Sequence, residues 1–153
     1  TNARTTLAMI LPMMPTCQSI QFMQTENQSD LLMMLALFNS KPFDYFVRLK
    51  MPGIDLTQSV IRQIPVPARS AYTEQITYQR ETLPLEIHIL TRASALIDLE
   101  PMVSSLAQNL KYKEYLPVKP KAVLERELDE LFAIAFGLSA AETEIVQSSF
   151  RKD

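Results

Sequence analysis

Apolar and polar positions change rhythm several times along this chain, and each change marks a different element. Residues 5–11 are β-branched at the start and stop at Pro12, and residues 19–24 alternate polar with apolar side chains. Both stretches predict short strands, joined by a Pro-containing loop that carries Cys17. Ser29-Asp30 then offers an N-cap to residues 31–38, a run of strong helix formers that is apolar on every face and so predicts a buried helix. Asn39-Ser40 break it, and Pro42 suits the first turn of a second helix through Lys50, with Phe43, Phe46, Val47 and Lys50 at helical spacing. Pro52-Gly53 closes that helix in a turn, and Asp55 or Thr57 caps a short helical stretch leading to the extended exit Ile64-Pro65-Val66-Pro67.

Residues 68–84 are polar with scattered aromatics, and the pattern leaves a helix and a linker both open there. From Leu85 a helical stripe returns through Ile87, Leu90, Ala93 and Leu96 or Ile97, and Asp98 before Leu99-Glu100-Pro101 predicts a further helix ending near Asn109. Residues 111–121 read as a basic loop bounded by Pro117 and Pro120. Leu124, Leu128, Leu131, Phe132 and Ala135 form the clearest stripe, closed by Gly137 as a left-handed cap. Ser139-Ala140-Ala141-Glu142 has the form of a capping box opening a last helix to about Phe150. The fold class expected is α+β and mostly helical, with short N-terminal strands followed by packed helices. Residues 1–67 would form one core and residues 68–153 a helical region packed on it.

Composition narrows the chemistry. With 153 residues, 47% hydrophobic and 21% charged, the chain has the balance of a globular domain, and its apolar runs are too short to span a bilayer. One cysteine makes no internal disulfide and fits a reducing compartment, so a cytoplasmic location is expected. The first residues have neither an initiator Met nor the layout of a secretory signal, so the chain is expected to be one fragment of a larger protein. Two glycines, Gly53 and Gly137, leave no glycine-rich phosphate cradle, and the lone His88 has no second histidine or cysteine pair at ligand spacing. A satisfied or surface histidine is the better reading of His88. Glu125, Glu127, Asp129 and Glu130 fall on several helix faces beside Arg126 and read as a solvated face. The eight methionines read as adaptable core packing rather than a soft-metal site. No catalysis, no metal and no cofactor is expected of this chain alone.

The net charge of -2 hides a local excess between residues 41 and 69, where Lys41, Arg48, Lys50, Arg62 and Arg69 stand against Asp44 and Asp55. Such a patch suits phosphate contact, with Gln58, Gln63, Arg62 or Asn39 able to read base edges. The last thirty residues are acidic and would be repelled by phosphate.

Residues 38–67, FNSKPFDYFVRLKMPGIDLTQSVIRQIPVP, carry a more specific pattern. Asn39-Ser40, then Phe43-Asp44-Tyr45, Arg48-Leu49-Lys50, Gly53 and Gln63-Ile64-Pro65-Val66-Pro67 come in an order that resembles the C-terminal target-recognition region of restriction–modification DNA methyltransferases, mainly the single-chain type IIG enzymes and their phage-defence relatives. Asn2-Ala3-Arg4-Thr5 leading to Ile10-Leu11-Pro12 resembles the family's Arg-Thr strand, and Leu90-Thr91 with Asp98 to Pro101, then Glu127 to Leu138, resembles its closing helices. Where the family commonly has Gly-Thr-His, this chain has Gly53-Ile54-Asp55, which exchanges a hydrogen-bonding base for a carboxylate. The resemblance implies a non-catalytic DNA sequence-recognition fragment whose parent is an adenine-specific methyltransferase, alone or fused to an endonuclease. S-adenosylmethionine would then bind in the parent's upstream domain, because the family's Asn/Asp-Pro-Pro-aromatic motif is nowhere in this sequence. Its implied partners are double-stranded DNA and the upstream methyltransferase domain, with no membrane, and self-association of the isolated fragment through apolar faces. The DNA-binding residues are expected to be Asn39, Lys41, Arg48, Lys50, Gln58, Arg62 and Gln63. The alternative is a helical scaffold module that joins the parent's domains without touching DNA.

Overall fold

The computed structural model describes residues 4–11, 15, 20–51, 56–99 and 118–150. Among them are seven helices and one two-stranded sheet, so the fold is α+β and mostly helical. In chain order these are α1 (Gln28–Phe38), α2 (Lys41–Lys50), α3 (Gln58–Ile61), α4 (Arg69–Thr73), β1 (Gln75–Tyr78), β2 (Glu81–Pro84), α5 (Leu85–Asp98), α6 (Lys121–Ala135) and α7 (Ala140–Ser148). Asp98, expected to cap a new helix, is instead the last residue of α5. The rest of that expected helix from Glu100 to Asn109, most of the basic segment 111–121, Cys17 and the Gly53-Ile54-Asp55 loop lie outside the described residues.

Local signals account for most helix ends. Asn27, two residues before the expected cap, accepts from the N–H groups of Ser29 and Asp30 and starts α1. Ser40 accepts from Phe43 N–H and starts α2 with Pro42 in the first turn, while Thr57 accepts from Val60 N–H at α3. Gly137 has φ +69°, with its own N–H bonded to Ile134 O and Leu138 N–H to Ala133 O, the paired bonds of a Schellman cap on α6. Ser139 and Glu142 cap one another at α7 as a full capping box.

The core is built chiefly where α5 packs between α1 and α6, with α2 against α6 and α7. Leu32, Phe43, Val47, Leu85, Ile89, Leu131 and Phe132 are at most 1% exposed, so both halves of the chain contribute to one continuous apolar cluster. Burial on this scale is the main stabilising term in any domain of this size. Met9 and Met23, expected in the core, are exposed instead.

The strands lie elsewhere than the sequence pattern predicts. The described parts of 5–11 and 19–24 pair with no neighbouring strand, because the backbone of the first is bonded to side chains of α2 and of the α1–α2 turn. The sheet is instead an antiparallel hairpin in the stretch left open, with Ile76 opposite Leu83 and Tyr78 opposite Glu81. Its two-residue turn holds Gln79 at φ 52° and Arg80 at φ 74°. Both are left-handed conformations that a side chain disfavours by roughly 1–2 kcal/mol each.

Candidate functional site

Among the described residues, two buried polar networks, a Lys41–Asp129 pair and one exposed patch hold most of the ionisable side chains considered below. The first network centres on Asp44, which is completely buried on α2. Its Oδ1 accepts from Thr5 N–H at 2.9 Å, Thr6 N–H at 2.8 Å and the Thr6 hydroxyl at 3.1 Å. Arg4 Nε stands 3.2 Å and Arg48 NH2 3.4 Å from its Oδ2. Arg48 also donates to Thr5 Oγ1 at 3.1 Å and lies over the Phe150 ring, 4.1 Å from its centroid. Next along the chain, Asn39 clamps the same N-terminal segment: its Oδ1 accepts from Ala8 N–H and its Nδ2 donates to Ala8 O and to Leu35 O. Arg4, Thr5, Asn39, Asp44 and Arg48 are thus one structure that fastens residues 4–8 across the α1–α2 turn.

On the other side of that turn, Asp129 of α6 accepts from Lys41 N–H at 2.7 Å and pairs with Lys41 Nζ at 3.1 Å. Lys41 Nζ also donates to Gln147 Oε1 at 3.0 Å. Burial pushes the Asp129 carboxyl above its usual value, and the Lys41 N–H and ammonium only partly offset this.

The second network joins the hairpin to α5 and α6. Arg92 and Glu127, each 2% exposed, pair at 2.7 Å, and Lys119 Nζ approaches both Glu127 oxygens at 2.7 and 3.0 Å. Gln79, from the strained turn, donates to Glu127 Oε1 at 2.8 Å and accepts from Lys119 and Arg92. Burial raises the Glu127 carboxyl, but bonds from Gln79, Lys119 and Arg92 outweigh it and hold the group below its usual range. Arg92 also stacks on the Tyr78 ring at 4.9 Å, and the Tyr78 hydroxyl donates to Glu130. Burial and that acceptor both raise the Tyr78 pKa. Glu127 and Asp129 therefore correct the expectation of a solvated acidic face. Two cationic neighbours make Glu127's burial tolerable, and Lys41 does the same for Asp129.

His88 is not on the surface but in the core. It is 1% exposed, packs edge-on against Tyr78 at 5.8 Å, and its Nε2 has no hydrogen-bond partner among the described residues. Burial, then the neighbouring Arg92, lowers its pKa, while Ile76 and Glu81 act weakly in the opposite sense. A histidine held neutral in the fold but free to protonate when unfolded makes stability fall as pH drops below its unfolded value near 6.5. As the only histidine in the chain, it should dominate the decline in urea midpoint between pH 7 and 5.5. His88→Leu should flatten that decline, and an unchanged slope would rule the assignment out.

The seven residues expected to bind DNA separate into two sets. Asn39, Lys41 and Arg48 are turned inward to Ala8, Asp129, Asp44 and Thr5, so their polar atoms serve the fold. Lys50, Gln58, Arg62 and Gln63 are exposed at the end of α2, at the start of α3 and just after it, and the two helices are packed on one another. Within that patch the Gln63 amide is bonded locally to Ser59 O, and neither Lys50 nor Arg62 makes an ion pair among the described residues. Comparison with protein-family models, curated proteins and solved structures finds no match. Among the described residues there is no group of acids, histidines and cysteines that could hold a metal ion, and no helix long and apolar enough to cross a membrane.

Sequence reasoning missed the Arg92–Glu127–Lys119–Gln79 network, whose members come from four separate stretches of chain. In residue spacing, the signal for the first network was the i,i+4 placement of Asp44 and Arg48.

Proposed function

We propose that this chain is the DNA sequence-recognition portion of a restriction–modification adenine methyltransferase, non-catalytic by itself and working in the cytoplasm. The parent's upstream domain would bind S-adenosylmethionine and carry out methyl transfer, and the partners of this chain would be that domain and double-stranded DNA. One observation supports the reading above others: the scattered positions that carry the resemblance, Arg4-Thr5, Asn39, Asp44 and Arg48, converge on a single buried network. A pattern of residues that is needed together to build one fold is what a family resemblance should consist of.

In this reading Lys50 and Arg62 hold phosphates while Gln58 and Gln63 meet base edges, with glutamine suited to adenine. Asn39, Lys41 and Arg48 instead shape the platform. Fluorescence anisotropy with duplex DNA across a salt series tests this division. Lys50→Ala and Arg62→Ala should each weaken binding to all sequences and reduce the salt slope by about 0.9. Lys41→Ala should alter stability and leave the slope unchanged. Gln58→Ala and Gln63→Ala should narrow the gap between target and random duplex. Loss of affinity in Lys41→Ala equal to that in Lys50→Ala would overturn the division.

The inward pairing of Lys41 and Arg48 with acids favours a second reading, a scaffold module that holds the parent's domains together without contacting DNA. Salt-insensitive anisotropy in the unmodified chain would select it.

A further inference from the structure

Residues 4–11 pass the α1–α2 turn with alternating burial. Thr6 is buried, Leu7 is 80% exposed, Ala8 half-buried, Met9 74% exposed and Ile10 half-buried. A two-residue period is the mark of extended backbone, where successive residues also direct their N–H and C=O groups to opposite edges. One edge is occupied: Thr6 N–H donates to Asp44, and Ala8 exchanges both backbone bonds with the Asn39 side chain. Asn39 and Asp44 therefore stand where a neighbouring strand would. On the opposite edge, Leu7 and Met9 make no backbone hydrogen bond among the described residues.

That edge carries neither of two common devices that keep sheet edges apart, a charge or a proline. Residues 5–11 contain no charged side chain and no proline. Alongside runs an open apolar trough of about 600 Å³, lined in part by Met9, Phe22, Leu31, Met34 and Phe38. The exposed Ile20, Phe22 and Met23 extend the same surface.

We propose that this edge pairs antiparallel with the same edge of a second copy of the chain, about a two-fold axis at Ala8. In that register Leu7 of one copy lies opposite Met9 of the other, as hydrogen-bonded pairs that exchange both bonds. The two pairs form four backbone bonds and use the N–H and C=O groups of Leu7 and Met9, which make no backbone bond among the described residues. A register centred on residue 7 would set Met9 against Thr5, whose N–H is already given to Asp44. The same pairing brings the exposed Leu7 and Met9 side chains of both copies together on one face. An interface of one strand pair and an adjoining apolar strip is small, so the dimer should be weak and concentration-dependent.

Sedimentation equilibrium of the full chain, from low micromolar to millimolar concentration, should show its mass rising toward twice the monomer. Met9→Pro removes one of the pairing N–H groups and Leu7→Lys sets a charge on the edge. Both sites are exposed, so the circular dichroism spectrum should not change, while dimerisation should weaken about tenfold or more. Hydrogen exchange adds a local readout: the Leu7 and Met9 amides should gain protection with concentration and the Ala8 amide should not. A monomer at all concentrations, dimerisation undiminished in both variants, or a dimer whose Leu7 and Met9 amides exchange freely would each overturn the proposal.

Discussion

Replacing Asp44 with alanine should destabilise the protein by about 3–5 kcal/mol, the usual result of removing one partner from a buried ion pair. The carboxylate has no access to solvent and receives the Thr5 and Thr6 N–H groups, the Thr6 hydroxyl and two guanidinium groups. Alanine would leave the Thr6 donors buried without an acceptor and place two cations together. Asp44→Asn, which keeps an acceptor but not the charge, should fall between wild type and alanine. Urea denaturation followed by circular dichroism checks both. The damage should also have a location, since residues 4–8 lose their anchor: backbone exchange there should accelerate in the asparagine variant before the helices respond. A loss under about 1 kcal/mol in Asp44→Ala, the range of an exposed pair, would refute this account.

Glu127→Ala should be comparably destabilising, by about 3–5 kcal/mol, because Arg92 would be left as a buried cation. Exchanging both partners for apolar residues of similar volume, Arg92→Met with Glu127→Leu, should recover most of that loss, since the pair's attraction roughly repays its desolvation. Lys119 and Gln79 would still lose an acceptor in the double variant, so recovery should be incomplete. Glu127 also shapes the acid limb of the stability curve. Its carboxyl is depressed in the fold, so its contribution is complete above the ordinary glutamate value of 4.5 and disappears as pH falls through the lower folded value. Asp129 works in the opposite direction: its raised carboxyl favours the fold below 3.8, and that advantage is lost as pH rises through the folded value. Glu127→Gln should therefore flatten the acid limb, and Asp129→Asn should not. Identical acid limbs in Glu127→Gln and wild type would contradict the role given to Glu127.

The pairing of Arg92 with Glu127 also explains the unusual hairpin turn. Asn-Gly or Asp-Gly usually fills this two-residue turn, and Gln79-Arg80 has no such signal. The Gln79 side chain is held by Glu127, Lys119 and Arg92, so contacts distant in sequence offset the local backbone strain. The alternation of Ile76, Tyr78 and Leu83 was present in the sequence, but without a turn signal the stretch reads as a helix or a linker, and the hairpin goes unpredicted.

The content of each local segment is legible in the residue order alone. The Ser40 cap with Pro42, the Thr57 cap, the stripe of α6, its Gly137 terminus and the Ser139–Glu142 box all depend on groups within a few residues of one another, so one-dimensional spacing specifies them. Tertiary structure decided the fate of the charges and of the N-terminal segment. Arg48, Lys41, Glu127 and Asp129 look like surface residues in sequence because a charge is normally solvated; Glu127 and Asp129 become buried, and Lys41 and Arg48 half-buried, only where an opposite charge meets each of them. Residues 4–11 have the composition of a strand, yet whether a strand has a neighbour is a property of the assembled molecule. Here Asn39 and Asp44 take that neighbour's place along one edge, since every buried backbone group must find a partner and side chains can supply it.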